Sequence, residues 1–131
     1  MTTIPAWIEK VKGLELAVIQ DASLSLARVA NTNYNSGGKT PVDTGFLINS
    51  IKAAIDTLPT GQNKKPVGFR AADWDEGAVL VVINRMKLGD VLFIGWTAEY
   101  APYMENRFMF ARSAAQQWPE IVAKSVAKVK T

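Results

Sequence analysis

The sequence predicts an α+β fold: a small antiparallel sheet packed by an N-terminal and a C-terminal helix, with one long loop. Two observations lead to this prediction. Apolar residues recur with helical spacing towards both ends of the chain, and the strand-like segments are gathered between them. The chain has 131 residues, which suits one domain with one core. We therefore expect residues 1–131 to form a single domain.

Residues 1–33 are predicted to be helical. Pro5 suits a first helical turn, and Thr3 is a candidate cap just before it. Apolar residues then recur at intervals of three and four: Trp7, Val11, Leu14, Val18, Ala22, Leu26 and Val29. Gly13 weakens the middle and is the expected point of a break. The stripe indicates core packing, with a self-associating coiled coil as the alternative.

A turn and a strand follow this helical segment. Asp43 or Thr44 can cap a short helical turn through residues 46–48. Residues 50–56 then alternate between the two faces of a strand, which predicts a half-buried strand. The positions on its apolar face are Ile51, Ala53 and Ile55.

Residues 57–77 are predicted to form an extended loop, because they contain proline and glycine and show no periodicity. A short strand at Val67–Ala71 is expected within it. The acidic residues of this segment are too few and too closely spaced for a calcium loop, so a solvated acidic turn is the favoured interpretation. They are Asp73, Asp75 and Glu76.

Two apolar segments, Ala78–Ile83 and Val91–Ala98, are predicted to form a hairpin through a polar, glycine-containing loop. The first of them is the longest uninterrupted apolar run, and it is far too short to span a bilayer. No membrane partner is therefore expected.

The last part of the chain, residues 107–131, is predicted to be a C-terminal helix. Pro102 should open a helical turn just before it, with Glu105 placed to favour the positive end of that turn. Pro119 should kink the last helix or start a second one, because proline removes a backbone hydrogen bond. The predicted inner stripe is Ala111, Ala115, Trp118, Val122 and Val129.

The composition restricts the available chemistry. The sequence contains no histidine and no cysteine, which removes the commonest general base and both common transition-metal ligands. Ser–His–Asp and Cys–His hydrolysis and His-ligated zinc are excluded, and no cofactor is expected. The net charge of +3 allows a basic patch for nucleic acid but does not require one.

Two short signatures lie about fifty residues apart. The first is Pro41-Val42-Asp43-Thr44-Gly45 with Leu47, Ser50 and Ile51, and the second is Tyr100-Ala101 with Glu105. Their order, between two helical ends, resembles the tail-completion (head–tail joining, or neck) proteins of long-tailed double-stranded DNA bacteriophages. The chain differs from many members in having Asn106-Arg107 after the glutamate and Phe46 after the glycine.

This resemblance implies a structural virion protein rather than an enzyme. It implies a ring, expected to be a hexamer, between the head connector or adaptor and the tail terminator or tail tube. Genomic DNA would pass through the lumen without sequence-specific binding. The implied location is the head–tail junction of the virion, assembled in the cytoplasm of the host cell.

Aromatic side chains are the expected anchors of a subunit interface, because they dominate the energetics of buried contacts. Phe69, Trp74 and Tyr103 are the aromatic candidates, and Arg70 is the fourth candidate. The alternative for each aromatic residue is packing within its own domain.

The triplet Asp43-Thr44-Gly45 also permits an enzymatic hypothesis. It is similar to the triplet that carries the catalytic carboxylate of aspartic proteases, where a homodimer can make two carboxylates share a proton. Phe46, however, follows the triplet where those proteases have a small residue, and their fold is almost wholly β. Asp43 and Thr44 as turn and cap residues explain the triplet without catalysis.

Overall fold

The computed structural model describes residues 4–32, 45–61, 63–69 and 74–130. In chain order these residues form α1 (Ile4–Ala30), α2 (Phe46–Asn49), β1 (Ile51–Ile55), α3 (Glu76–Arg85), β2 (Leu92–Trp96), α4 (Ala101–Phe108), α5 (Phe110–Gln116) and α6 (Trp118–Lys130). The two strands pair antiparallel, with Ile51 opposite Trp96 and Ile55 opposite Leu92. The predicted α+β class is confirmed. None of the helices described is long and apolar enough to cross a membrane.

Helix α1 is continuous over its 27 residues, so the expected break at Gly13 is wrong. A glycine inside a helix costs about 1 kcal/mol relative to alanine, which is too little to interrupt a helix with turns on both sides. The buried residues of α1 all lie in its second half: Ala22, Ser23, Ala27 and Ala30. Its first half is therefore outside the core.

One core cluster joins α1, β1 and α3. Its buried members are Ala27, Ile51, Val79 and Ile83, with the half-buried Trp74 and Ile94 packed against them. Val79 and Ile83 are four residues apart, and they present one face of α3 to the sheet. This cluster positions the strands against the second half of α1.

The predicted hairpin of Ala78–Ile83 with Val91–Ala98 is wrong, because the first segment is helical and β2 pairs with β1. Asp75 caps α3: its Oδ1 accepts a hydrogen bond from the backbone N–H of Ala78 at 3.2 Å. Glu76, in the first turn, forms an ion pair with Arg28 of α1. A short apolar run has no periodicity that distinguishes a strand from a helix. The Asp75 cap is the local feature that favours the helix.

The loop predicted for residues 57–77 is shorter than expected, because α3 begins at Glu76. The strand predicted at Val67–Ala71 is wrong at residues 67–69. Val67 and Gly68 form a turn, closed by a hydrogen bond from the N–H of Phe69 to the carbonyl of Pro66 at 3.1 Å. Residues 62 and 70–73 of this segment lie outside the described residues.

The C-terminal helix predicted for residues 107–131 is interrupted in the structure at Met109, between α4 and α5, and at Gln117, before α6. Met109 has a positive φ of 56°, and it ends α4 and begins α5. Pro119 is the second residue of α6, so the prediction that it starts a second helix is confirmed. Because of these breaks, the residues that face the core differ from the predicted inner stripe. The buried residues of this segment are Phe110, Ala114, Ile121 and Ser125.

A buried amide joins three elements. Asn31 directly follows α1 and is only 1% exposed. Its Nδ2 donates to the carbonyl of Ile48 in α2 at 3.1 Å, and its Oδ1 accepts from the indole N–H of Trp96 in β2 at 3.0 Å. Without Asn31, the Ile48 carbonyl and the Trp96 N–H would each lose a hydrogen bond within the protein.

Polar contacts also hold α6 on α1. The Asp21 carboxylate accepts hydrogen bonds from Ser125 Oγ at 2.8 Å and from Lys128 Nζ at 2.9 Å. The hydrogen bond from Lys128, and after it the one from Ser125, lowers the pKa of Asp21 below its ordinary value of 3.8. Asp21 therefore stays ionised in the folded protein to a lower pH than in the unfolded chain.

Replacing Asn31 with alanine should lower the free energy of unfolding by about 2–3 kcal/mol, because the Trp96 N–H and the Ile48 carbonyl both lose their partner. Urea denaturation followed by circular dichroism measures this change. Asn84→Ala, at an exposed position of α3, is the matched control and should change stability by less than about 0.5 kcal/mol. An equal effect of the two substitutions would contradict the role given to Asn31.

The contact between Asp21 and Lys128 should make stability depend on pH in the acid range. The folded pKa lies below 3.8, so the contribution is complete above that value and is lost as the pH falls through the lower, folded pKa. At neutral pH, Asp21→Asn should lower the free energy of unfolding by about 0.5–1 kcal/mol. The difference from wild type should shrink as the pH falls below 3.8. Glu9→Gln, at the exposed start of α1, is the control. A stability difference between Asp21→Asn and wild type that stays constant with pH would refute this assignment.

Candidate functional site

The two sequence signatures meet in one aromatic cluster, called here the signature cluster. Its buried members are Phe46, Leu47, Ala98, Ala101 and Phe110. The first two belong to the Pro41–Ile51 segment, and Ala101 belongs to the second signature. Residues about fifty positions apart in the chain are thus in contact in the fold.

The first signature turns the chain into the cluster at Gly45. Gly45 has φ +83° and occupies the N-cap position of α2, without a side-chain cap. A residue with a Cβ would be strained in this left-handed conformation. The expectation that Asp43 or Thr44 provides the cap concerns residues outside those described, as do Pro41 and Val42.

Side chains after this turn satisfy the carbonyls of the short helix α2. Asn49 Nδ2 donates to the carbonyl of Gly45 at 2.9 Å, and Ser50 Oγ donates to that of Leu47 at 2.7 Å. The carbonyl of Ser50 accepts the N–H of Thr97 at 3.0 Å, next to the start of the sheet. Ile51 is buried in the α1–β1–α3 cluster. The end of the first signature therefore connects the two core clusters.

The second signature begins α4 and completes the signature cluster. Tyr100 is the N-cap residue of α4, and its ring lies 6.3 Å from that of Phe46. Trp96 packs edge-to-face on Phe110, with ring centroids 4.9 Å apart. Aromatic pairs at such separations add stabilisation beyond their buried area. The cluster therefore fixes α4 and α5 against the start of the sheet.

Glu105 has a different role from the one expected at the start of α4. Its Oε1 accepts the N–H of Ala111 at 3.0 Å, and its Oε2 accepts the N–H of Arg112 at 3.2 Å. These are first-turn N–H groups of α5, which the left-handed backbone at Met109 separates from α4. A carboxylate at this end is stabilised by the unpaired N–H groups and the helix dipole.

The four candidate interface residues differ in their surroundings. Phe69 packs edge-to-face on Phe46 with ring centroids 5.4 Å apart, so it extends the signature cluster. Trp74 is half-buried against the cluster of α1, β1 and α3. Tyr103, on α4, is 61% exposed, and Arg70 lies outside the described residues. Tyr103 is therefore the aromatic candidate that faces solvent.

Sequence reasoning missed an exposed apolar face on the first half of α1. This face, the α1 stripe, consists of Ile4, Trp7, Ile8 and Leu14, and Trp7 is 58% exposed. The apolar repeat predicted core packing along the whole helix, which is wrong for the N-terminal half. A helix of 27 residues is about 40 Å long, whereas the 13-residue α6 that packs on it is about 20 Å long. The signal in the sequence was the length of the apolar repeat, which exceeds the length that α6 can cover.

An open apolar groove of about 360 Å³ lies beside the stripe, between α1 and α6. It is lined by Val11, Leu14, Val18 and Ile19 from α1 and by Val126 and Val129 from α6. Among the described residues that line the groove, Glu15 is the charged one. The groove can accept an apolar side chain that carries a single polar group.

The described residues contain no group of three or more acidic, histidine or cysteine side chains that could hold a metal ion. They present an exposed tyrosine and an exposed apolar helix face. Comparison of the chain with protein-family models, curated protein sequences and solved structures gave no match.

Proposed function

We propose that this chain is a structural virion protein of a tailed bacteriophage. It forms a ring at the head–tail junction and joins the DNA-filled head to the tail. The observation that carries this proposal is the resemblance of two signatures to tail-completion proteins, together with their packing in one cluster. Leu47 of the first signature and Ala101 of the second are buried in the same cluster, and Tyr100 packs against it.

The surface is also suited to assembly. A ring needs a heterologous interface, in which one patch of a subunit meets a different patch of its neighbour. Tyr103 on α4 and the α1 stripe are separate exposed patches with an aromatic residue in each. Aromatic residues are the most frequent anchors of protein interfaces. We expect at least one of these patches to be buried in the ring.

The other partners follow from the same proposal. A hexamer would contact the head connector or adaptor on one side and the tail terminator or tail tube on the other. A net charge of +3 is compatible with DNA that passes through without sequence-specific binding. Of the C-terminal lysines, Lys128 donates to Asp21, so part of its charge is balanced within the subunit.

The second candidate function is an aspartic-type protease that uses Asp43 in a homodimer. Gly45 of the triplet leads directly into α2, and the described residues form a two-stranded sheet among six helices. Those proteases are almost wholly β, so this architecture favours the structural hypothesis. Asp43 itself lies outside the described residues, and its role is tested by substitution.

An early stop codon at Trp7, in a phage that encodes this chain, should leave DNA packaging and tail polymerisation intact, because both depend on other proteins. Electron microscopy of lysates should show filled or leaking heads beside separate tails. Purified wild-type protein added to the lysate should restore infectious particles. Complete, joined virions that merely lack infectivity would refute the joining function and favour a late enzymatic or host-contact function.

Asp43→Asn should leave the joining activity unchanged in the same complementation assay, because asparagine forms caps and turns almost as well as aspartate. Asp56→Asn serves as the matched control. It makes the same substitution at an aspartate with a structural role, because Asp56 accepts a hydrogen bond from the N–H of Val91 beside the sheet. Loss of a pepstatin-sensitive peptide cleavage in Asp43→Asn alone would instead support the protease.

A further inference from the structure

The α1 stripe and the neighbouring groove fit each other. We infer that two copies of this chain dock through the first halves of α1, antiparallel, and that each inserts Trp7 into the α1–α6 groove of the other. The pair is isologous, since the same surface is used on both copies, whereas a ring needs a heterologous interface. This contact therefore does not depend on the proposed ring function.

Trp7 cannot fill the groove of its own chain. Trp7 and Glu15 of one chain lie on the same continuous helix, eight residues or about 12 Å apart. A helix cannot fold back over that distance, so Trp7 does not reach the groove of its own chain. The apolar groove and the 58% exposed tryptophan thus lie side by side on one surface.

The position of α6 determines the direction of docking. Asp21 of α1 contacts Ser125 and Lys128, and α6 then continues along the face that carries Val18. A parallel second copy would need to place its own α1 where α6 lies. An antiparallel copy instead extends past the start of α1, away from α6. With the two-fold axis at Val11, Trp7 of each copy stands opposite Glu15 of the other.

The chemistry of the two surfaces is complementary. The indole ring is apolar apart from one N–H donor, and a buried indole N–H requires an acceptor. The groove is apolar apart from the Glu15 carboxylate, which only accepts. A Trp7 side chain that donates to Glu15 of the other copy would satisfy both. The stripe is small beside the roughly 800 Å² per partner of a standard interface, so the dimer should be weak and concentration-dependent.

Sedimentation velocity over a concentration series tests the dimer in the full chain. Wild-type protein should pass from monomer to dimer as its concentration rises, and Trp7→Ala should raise the dissociation constant at least tenfold. Trp118→Ala removes an indole that is 37% exposed at the start of α6, outside the stripe, and should leave the dissociation constant unchanged. A wild-type protein that stays monomeric, or a Trp7→Ala variant that dimerises like wild type, would overturn the inference.

Single cysteines test the orientation, because the chain has none of its own. Val11→Cys, on the two-fold axis, should form a disulfide-linked dimer under mild oxidation, since a disulfide requires Cβ atoms about 4 Å apart. Ile4→Cys should not, because antiparallel docking separates the two Ile4 positions by fourteen residues, about 21 Å. Efficient cross-linking of Ile4→Cys would indicate a parallel pair and overturn the inference.

Discussion

The buried amide of Asn31 is the constraint on which the arrangement of the chain depends. It stands where α1 ends, and it pairs with a carbonyl of α2 and with the indole of β2. Because these groups are buried, any displacement of one element leaves a polar group without a partner. The same indole ring packs against Phe110 of the signature cluster. One polar residue thereby fixes the helix, the turn and the sheet at distances that allow the two signatures to meet.

The parts of the fold that sequence reasoning predicted have a local physical cause. The N-terminal helix follows from a long apolar repeat, β1 from strict alternation, and the start of α6 from Pro119. Helix α3 was missed because six apolar residues in a row fit either element. The deciding evidence is local too, since Asp75 stands three residues before Ala78 and caps its N–H. A capping residue before an apolar run is a local signal that favours a helix.

The site was predictable in its components but not in its contacts. The signatures named Leu47, Ala101 and Glu105, and the structure gives the first two a place in one cluster. Glu105 could not be assigned from sequence, because its two hydrogen bonds depend on the break between α4 and α5 at Met109. At that break Met109 has a positive φ, and the sequence has no glycine or asparagine there that would predict it. The exposure of the first half of α1 was likewise not predicted, because it depends on where the other helices pack.

The breaks at Met109 and Gln117 also limit how much of α1 the C-terminal segment covers. Thirty residues from Ala101 to Lys130 in one straight helix would measure about 45 Å, close to the full length of α1. Divided into three helices, the segment packs α5 and α6 on α1, and the first turns of α1 stay in contact with solvent. The apolar area left for a neighbour is thus set by a backbone conformation about a hundred residues away. A chain with the same α1 and an unbroken C-terminal helix would bury its own stripe and have none to share.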